Sequence, residues 1–339
     1  MAEIGKVAVC GAGAWGTAMA IQCAAQGHSV SLLPRRSEQS VALSRARANE
    51  DYLPGFSFPE GLTIASSDRE AFDGAQLILF GVPSYALRSW LERIGAGITS
   101  SDERPFLVSL AKGLELSSGK TPCELIAEAL PEHLVGCLSG PTFAREVAAG
   151  KPVALTLAAR SIDPIVEATQ TALSGSSMRI YSSEDLKGVE LGGCLKNVYA
   201  IAAGCCQGLQ LGDNAQAALL TRALAEMVRV GMALGARESE TFYGLSGFGD
   251  LVATCHGDWS RNRTFGEAVA KGGSAEEVIA QQKTAVEGYR TAKSFHSMLG
   301  ARSIEAPILD QIYRILYENK PPIEALGDLM SRDLKPEVG

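Results

Sequence analysis

A glycine-rich turn between an apolar run and a helix-favouring segment constrains this chain more than any other feature of its sequence. The run Val7–Cys10 leads directly into the pattern Gly11-x-Gly13-x-x-Gly16, and the Ala- and Met-containing segment Thr17–Gln26 follows. In such a turn Gly11 permits the sharp change of direction, Gly13 lets the backbone approach a diphosphate, and Gly16 lets helix pack on strand. The flanking strand and helix make the pattern specific for a dinucleotide, whereas the glycines alone would be weak evidence.

The start of the predicted helix supplies the matching electrostatics. Its first N–H groups have no partner within the helix, and its dipole places partial positive charge there. The segment Ser29–Leu33 reads as a second strand and completes the unit. A strand–turn–helix without a ligand is the alternative interpretation.

The end of that second strand bears on the choice of cofactor. An acidic residue there would accept hydrogen bonds from the free 2′-hydroxyl of NAD, but this strand runs into Pro34-Arg35-Arg36. Two cations suit a 2′-phosphate, so we predict that NADP(H) is preferred and keep NAD(H) as the alternative. A solvated charge pair on a loop is the structural explanation that remains open.

Further apolar runs predict a doubly wound parallel sheet. Gln76–Val82, Phe106–Leu110 and Val135–Ser139 are continuously apolar, as in strands covered on both faces, and helical candidates lie at Tyr85–Ile94 and Pro122–Leu130. Residues 37–60 read as a helix followed by a loop. Three shorter strands and a helix extend the pattern, at Thr63–Ala65, Val153–Ala158, Met178–Tyr181 and Asp163–Leu173.

Beyond about Ser183 the strand pattern stops and helical periodicity takes over. We therefore predict an α/β Rossmann-like domain at residues 1–185 and an all-α domain at residues 186–339. The main helical candidates in the second part are Ala215–Gly235, Glu276–Gln282, Thr284–Leu299 and Pro307–Glu318.

Composition excludes several classes of protein. A net charge of −7 argues against a general nucleic-acid binder, and no run approaches the roughly 18 apolar residues of a membrane span. The eight cysteines form no CxxC pair and do not cluster with the four histidines, so no metal site is expected. Buried free thiols and the lack of an evident signal peptide favour a reducing, cytoplasmic setting.

Two lysines stand where a merely solubilising lysine has little reason to be. Lys112 directly follows a predicted buried strand, at the carboxyl edge where ligands bind in open α/β sheets. Lys196 is the only Asp, Glu, Lys or Arg between Glu190 and Asp213, and burial would lower its pKa toward neutrality. The alternatives are an exposed loop lysine and a lysine that extends to solvent from the domain interface.

Two later clusters are compatible with a site or with plain helix capping. Asp250 lies in a glycine-rich turn, where it could orient a lysine or cap the helix Leu251–Cys255. Ser260-Arg261-Asn262 immediately precedes the helical candidate Thr264–Lys271. Basic and amide groups at a helix start can bind phosphate, or they can form an ordinary cap with surface arginines.

Together these motifs closely resemble the bacterial-type NAD(P)-dependent glycerol-3-phosphate dehydrogenases. They occur in the family's order and spread from residue 7 to about residue 290. The matching stretches are Gly11-Ala-Gly-Ala-Trp-Gly-Thr-Ala18, Ser109-Leu-Ala-Lys-Gly113, Leu138-Ser-Gly-Pro-Thr142, Phe143-Ala-Arg-Glu146, Glu190-Leu-Gly-Gly-Cys-Leu-Lys-Asn197, Gly247-Phe-Gly-Asp-Leu251, Ser260-Arg-Asn262 and Val286-Glu-Gly288.

The resemblance implies reversible reduction of dihydroxyacetone phosphate to sn-glycerol 3-phosphate for phospholipid synthesis. It also implies a helical domain like that of 6-phosphogluconate dehydrogenase, and a homodimer. By the family pattern Lys196 is the general acid/base, Lys112 stabilises the developing charge, Asp250 holds Lys196, and Arg261 and Asn262 bind the substrate phosphate.

The same resemblance assigns two sets of contacts. The residues aligned with cofactor contacts are Gly11, Gly13, Ala14, Trp15, Gly16, Arg35, Arg36, Lys112, Ala144, Arg261, Val286 and Glu287. The residues aligned with substrate contacts are Lys112, Gly140, Thr142, Lys196, Asn197, Asp250, Ser260, Arg261 and Asn262.

Two other functions compete with this interpretation. A β-hydroxyacid or 6-phosphogluconate-type dehydrogenase also joins a dinucleotide domain to a helical one and uses a lysine, but would lack Ser260-Arg-Asn262 in this context. A regulator that senses NADP without turnover would give no reason for Lys112 and Lys196 to lie at one crevice.

Overall fold

The computed structural model describes residues 4–99, 104–282, 285–334 and 336–337. Strands alternate with helices as far as Ser183, and from Leu186 onward the described regular elements are helical. We call these two parts the sheet region and the helical region. Of the predicted segments, Thr284 at the start of one helical candidate lies outside the described residues.

The described strands all belong to the sheet region. They are β1 (Lys6–Cys10), β2 (Ser29–Leu33), β3 (Ala48–Asn49), β4 (Leu53–Ser57), β5 (Leu62–Ile64), β6 (Leu77–Phe80), β7 (Phe106–Ser109), β8 (Val135–Ser139), β9 (Val153–Ala159) and β10 (Met178–Ser183). Eight form one sheet in the order β10-β9-β8-β7-β6-β1-β2-β5, and β3 and β4 pair separately. The residues of β6, β7 and β8 are buried throughout, as continuous apolarity predicts.

Within the described residues, seven α-helices of the sheet region connect these strands. They are α1 (Ala14–Ala25), α2 (Ser37–Ala46), α3 (Asp68–Phe72), α4 (Leu87–Thr99), α5 (Pro122–Ala129), α6 (Ala144–Ala148) and α7 (Pro164–Leu173). The predicted doubly wound architecture is confirmed by this alternation. The prediction for residues 37–60 missed the β3–β4 hairpin, because Pro54 and Gly55 suggest a loop when taken alone.

One strand pair departs from the expected parallel pattern. β9 runs antiparallel to β8, with Leu138 opposite Leu157. The connection from β8 to β9 contains one short helix, α6, and not the long crossover helix that usually joins parallel strands.

The helical region is organised around one long buried helix. Its helices are α8 (Leu186–Gly208), α9 (Gly212–Ala233), α10 (Asp250–His256), α11 (Arg261–Ala270), α12 (Ala275–Ala280), α13 (Glu287–Ala301), α14 (Pro307–Tyr317) and α15 (Pro322–Met330). α8 is buried from Gly188 to Cys206, and α9, α10, α11, α13 and α14 pack around it. None of the described helices combines the length and apolarity needed to cross a membrane.

Candidate active site

The glycine-rich turn has the geometry that its pattern predicts. Gly11 has φ +99°, and a Cβ there would lie 2.7 Å from the Val82 side chain. A Cβ on Gly16 would collide with the Gly11 carbonyl oxygen, so both positions require glycine. A Cβ on Gly13 would meet nothing within 4 Å, which leaves open space beside the backbone. The turn is therefore tightly packed at Gly11 and Gly16 and open at Gly13.

The helix that follows offers its N-terminus to that open space. α1 begins at Ala14 with Gly13 as its N-cap, and it has no side-chain cap and no acidic residue in its first turn. Its N-terminal N–H groups and dipole therefore remain available for an anion. These features fit the diphosphate of a dinucleotide. The helix starts three residues before the predicted Thr17.

Three further cofactor candidates, Arg35, Arg36 and Ala144, lie close to this turn. The Gly11 amide donates to the Leu33 carbonyl at 2.8 Å, which brings the end of β2 against the turn. Arg35 and Arg36 follow immediately and are exposed. Ala144 begins α6, which packs against α1.

A cluster of three charged side chains lies where the sheet and helical regions meet. Lys112 Nζ is 2.7 Å from Asp250 Oδ2, and Lys196 Nζ is 2.9 Å from Asp250 Oδ1. Only 14% of the Lys112 side chain, 9% of Lys196 and 1% of Asp250 are exposed. The structure thus brings together the two lysines and the carboxylate that the sequence singled out.

Each member of this cluster reaches it from a different element. Lys112 follows β7, Lys196 lies in the middle of α8, and Asp250 opens α10. A Cβ on Gly193 would lie 2.8 Å from Ser139 Oγ and 3.5 Å from Lys112 Cγ. Because Gly193 has none, α8 can lie directly against the ends of β7 and β8.

Burial and charge act in opposite directions on these groups. Burial lowers the pKa of Lys196 to about 8, although the Asp250 carboxylate opposes this effect; Lys112 reinforces it. Burial would raise the pKa of Asp250, but the two neighbouring ammonium groups outweigh it and the net shift is downward. Asp250 therefore stays ionised, while Lys196 can gain or lose a proton near neutral pH.

The hydrogen bonds distinguish the two lysines. Lys112 Nζ donates to the Gly140 carbonyl at 2.8 Å, to Thr142 Oγ1 at 3.3 Å and to Asp250 at 2.7 Å. Lys196 Nζ donates to Asp250 at 2.9 Å and to Thr254 Oγ1 at 2.7 Å. An ammonium has three donors, so Lys196 keeps one N–H that has no acceptor among the described residues.

An amide chain connects the lysine cluster with the starts of α11 and α13. Asn197 Nδ2 donates to the Lys112 carbonyl at 2.8 Å, and Asn262 Nδ2 donates to Asn197 Oδ1 at 2.8 Å. Asn262 Oδ1 in turn accepts the Gly288 N–H at 2.9 Å. Asn197 and Asn262 are thus brought to the site and held there by each other.

The neighbouring candidates take different positions. Ser260 Oγ accepts the Arg263 N–H at 3.3 Å and so caps α11, while Arg261 is exposed. Val286 is buried, and Glu287 accepts a hydrogen bond of 2.9 Å from Ser84 Oγ of the sheet region. Burial raises the pKa of Glu287, although Ser84 and the charge of Arg261 partly offset this effect.

Sequence reasoning missed two polar residues of the site. Thr254 is on α10, one turn after Asp250, and its hydroxyl accepts from Lys196. The i, i+4 spacing on a predicted helix was the available signal. Ser84 follows β6 at the same carboxyl edge as Lys112, and its only signal was that position.

The side chains gathered at this site determine which chemistry it suits. No group of three or more His, Cys, Asp or Glu that could hold a metal ion occurs among the residues that the structure describes, and all eight cysteines are buried and free. A buried lysine whose third N–H has no acceptor among the described residues suits proton transfer, and the glycine-rich turn of the same chain suits a dinucleotide that carries the hydride.

Comparison with known proteins gives matches over nearly the whole chain. The family model described as NAD-dependent glycerol-3-phosphate dehydrogenase N-terminus matches residues 6–163, and the C-terminus model of the same name matches residues 185–327. A glycerol-3-phosphate dehydrogenase [NAD(P)+] of Thiobacillus denitrificans is 43% identical over 98% of this chain and 99% of its own. The enzyme so named from Thioalkalivibrio sulfidiphilus is 44% identical over 98% of each chain.

Comparison with solved structures indicates the same family as the sequence matches. The crystal structure of glycerol-3-phosphate dehydrogenase from Coxiella burnetii superimposes with a TM-score of 0.90 at 35% identity, covering 97% of this chain and 99% of that one. A ketopantoate reductase from Ralstonia eutropha matches with a TM-score of 0.57 at 16% identity, which shows a shared fold alone. The glycine turn, the lysine cluster and these matches together establish that the chain belongs to the NAD-dependent glycerol-3-phosphate dehydrogenase family.

Proposed function

We propose that this chain catalyses the reversible, NAD(P)H-dependent reduction of dihydroxyacetone phosphate to sn-glycerol 3-phosphate. Membership of the family gives the reaction class. The observation that carries the assignment of residues is the Lys112–Asp250–Lys196 cluster, in which Lys196 alone has an N–H without an acceptor among the described residues. When bound, the nicotinamide cofactor supplies or accepts the hydride at C2.

Lys196 is the general acid of the reduction and the general base of the reverse reaction. Its third N–H donates to the carbonyl oxygen at C2, and its proton neutralises the oxyanion that develops there. With a pKa of about 8, the ammonium can give up this proton and recover it at physiological pH. Asp250 and Thr254 hold the amine in place in both states.

Lys112 stabilises the same developing charge electrostatically. Its three hydrogen bonds fix the ammonium beside the ends of β7 and β8, where a preorganised cation is most effective. Gly140 and Thr142 lie next to the substrate by this assignment. Asp250 balances the two lysines, which would otherwise repel each other.

The substrate phosphate lies at the start of α11 in this proposal. Arg261 is exposed there and offers paired donors, while Asn262 and Asn197 contribute amide groups. The backbone N–H groups of the helix start add to the attraction for an anion. Ser260 supports this site by capping the helix.

The cofactor binds along the glycine turn and the adjoining loops. Arg35 and Arg36 bind a 2′-phosphate, so NADPH is the preferred reductant. Changing both to alanine should raise the KM for NADPH at least ten-fold, with a much smaller change for NADH. Equal changes in the two KM values would remove the basis for NADP preference.

The other proposed cofactor contacts are Gly11, Gly13, Ala14, Trp15, Gly16, Lys112, Ala144, Arg261, Val286 and Glu287.

The wider role follows from the product. We propose that the enzyme supplies glycerol 3-phosphate for glycerophospholipid synthesis in the cytoplasm, as a homodimer and without a metal ion. Residues 1–185 form the cofactor domain and residues 186–339 the substrate domain in this division.

The central experiment follows the absorbance of NADPH after addition of dihydroxyacetone phosphate, with EDTA present to exclude contaminating metals. Decay that requires both substrates supports the proposed reaction. Decay only with the keto form of a hydroxyacid would favour a hydroxyacid dehydrogenase. Tight NADPH binding without oxidation of any such substrate would favour a cofactor-sensing regulator.

A further inference from the structure

A cationic side chain of the sheet region contacts two aromatic rings, one from each region of the molecule. The guanidinium of Arg145, on α6, is 5.5 Å from the ring centroid of Trp259 and 5.6 Å from that of Phe56. Arg145 Nη1 also donates to the Pro54 carbonyl at 3.3 Å. Phe56 is on β4, whereas Trp259 belongs to the helical region, so Arg145 contacts both regions.

Trp259 is part of the short segment that leads into α11. Within the helical region, the Gly257 carbonyl accepts the Ser260 N–H at 3.2 Å and Arg263 Nε at 3.3 Å. The sheet region contacts the same segment through Phe143, whose ring a Cβ on Gly257 would strike. The segment therefore receives support from both regions before the helix begins.

The two residues that follow differ in how firmly they are held. Asn262 is buried and bonded to Asn197 and Gly288, as described above. Arg261 makes no hydrogen bond to the described residues, although Glu287 attracts its charge, so its position depends more directly on where the chain enters α11. Support for the entry segment should therefore affect Arg261 more than Asn262.

The position of the Trp259 side chain is not explained by burial in an apolar core. Trp259 is 62% exposed, which is unusual for so large an apolar side chain, and its contact with Arg145 uses the face of the ring. A cation within about 6 Å of a tryptophan ring is attracted to that face even at an exposed site. The contact between Arg145 and Trp259 is therefore a weak attraction between the sheet region and the helical region, next to the proposed phosphate site.

We propose that Arg145 and Trp259 are positioning residues that couple the entry of α11 to the sheet region and so hold Arg261 at the substrate phosphate. The inference rests on the proposed function, because that function assigns the phosphate to Arg261. Phe56 and Pro54 anchor the other side of the guanidinium to the β3–β4 hairpin.

Steady-state kinetics of Arg145→Gln and Trp259→Ala test the coupling. Each variant should raise the KM for dihydroxyacetone phosphate about three- to ten-fold, with kcat changed less than two-fold. Because Arg261 is also a proposed cofactor contact, the KM for NADPH should rise too, but by a smaller factor. Glutamine can still donate to the Pro54 carbonyl, so Arg145→Gln isolates the loss of the cation. The double variant should be no worse than the worse single variant, because either change alone removes the same contact.

Conservative variants and a matched control separate positioning from general stability. Arg145→Lys and Trp259→Phe keep a cation facing a ring and should restore KM to within two-fold of the wild type. Arg179 forms the same kind of pair with Tyr181, at 5.3 Å on β10 at the far edge of the sheet. Arg179→Gln should leave all kinetic constants unchanged.

The results that overturn the inference are distinct from those that overturn the function. Wild-type KM values in both single variants, or independent effects that multiply in the double variant, would refute the coupling. So would an equal loss in the lysine and glutamine variants, since the cation would then be irrelevant. Inactivity of the wild-type protein toward dihydroxyacetone phosphate would instead refute the proposed function, and the inference with it.

Discussion

Two carboxylates of the helical region are equally buried but serve different purposes. Asp250 and Glu226 are each 1% exposed. Asp250 accepts from the ammonium groups of Lys112 and Lys196. Glu226 accepts two backbone N–H groups at the start of α14, from Ile308 and Leu309, each at 2.9 Å.

The different partners move the two pKa values in opposite directions. Two full positive charges outweigh burial and lower the pKa of Asp250. Burial raises the pKa of Glu226 to about 7. The two backbone hydrogen bonds and the charge of the more distant Arg229 offset only part of this rise. A buried titratable group therefore does not identify an active site by itself. The groups that face it decide whether it supports chemistry or caps a helix.

The largest effect on activity is expected when the proton donor beside Asp250 is removed. Lys196→Ala should lower kcat by about 10³-fold, in the range of general acid catalysis, with NADPH affinity little changed. Lys187→Ala is the matched control on the same helix, because Lys187 pairs with Glu124 at 2.6 Å away from the cluster. It should keep kcat within two-fold. A comparable loss in both variants would mean that α8, and not the proton transfer, was damaged.

Removing the charge of Asp250 should have a smaller but still large effect. Asp250→Asn leaves two neighbouring ammonium groups without a counter-charge, so we expect kcat to fall about 10²-fold. The pKa of Lys196 should also drop, because the Asp250 charge now raises it. The pH profile of reduction, measured alongside kcat, should move toward acid. An unshifted profile would contradict the pairing of Asp250 with Lys196.

The pH dependence of the wild-type enzyme sharpens the comparison further. Reduction needs protonated Lys196, so its kcat should fall about ten-fold for each pH unit above about 8. Oxidation of glycerol 3-phosphate needs the neutral amine, so its kcat should rise about ten-fold for each pH unit below about 8 and level off above it. Measuring both directions in one buffer series provides the control. Parallel profiles in the two directions would contradict a single acid/base group.

The smallest effect on activity is expected from the capping carboxylate. Glu226→Gln should leave kcat within two-fold and change stability instead. Because folding raises the pKa of Glu226 from 4.5 to about 7, its contribution is fully present below pH 4.5 and is lost as pH rises through about 7. The wild-type advantage in unfolding free energy over the variant should shrink by roughly 3 kcal/mol across that window. Denaturant titrations at pH 5 and 8 measure it, and a constant difference would argue against this shift.

Local patterns were sufficient for much of the architecture. Continuous apolarity located β8 at Val135–Ser139, and the glycine spacing located the turn before α1. Lys196 stood out because no other Asp, Glu, Lys or Arg occurs between Glu190 and Asp213. Such signals depend on residues close in sequence, which share one strand, turn or helix.

Partners that are distant along the chain could not be read in the same way. Thr254, Ser84 and the capping role of Glu226 escaped notice, since each depends on a neighbour from another element or another turn. The antiparallel β9 also went undetected, because the shortness of α6 shows only once its bounds are known.

The order of residues was enough to predict a dinucleotide-binding turn, a doubly wound sheet followed by helices, and two lysines in places where charge is costly. It took the folded chain to show that one carboxylate contacts both lysines, 138 residues from Lys112 and 54 from Lys196. It also decided that Lys196 keeps an N–H without an acceptor among the described residues while Lys112 does not. The physical reason is range: glycine geometry and hydrophobic periodicity act between neighbours in the chain, whereas ion pairs depend on how finished elements pack.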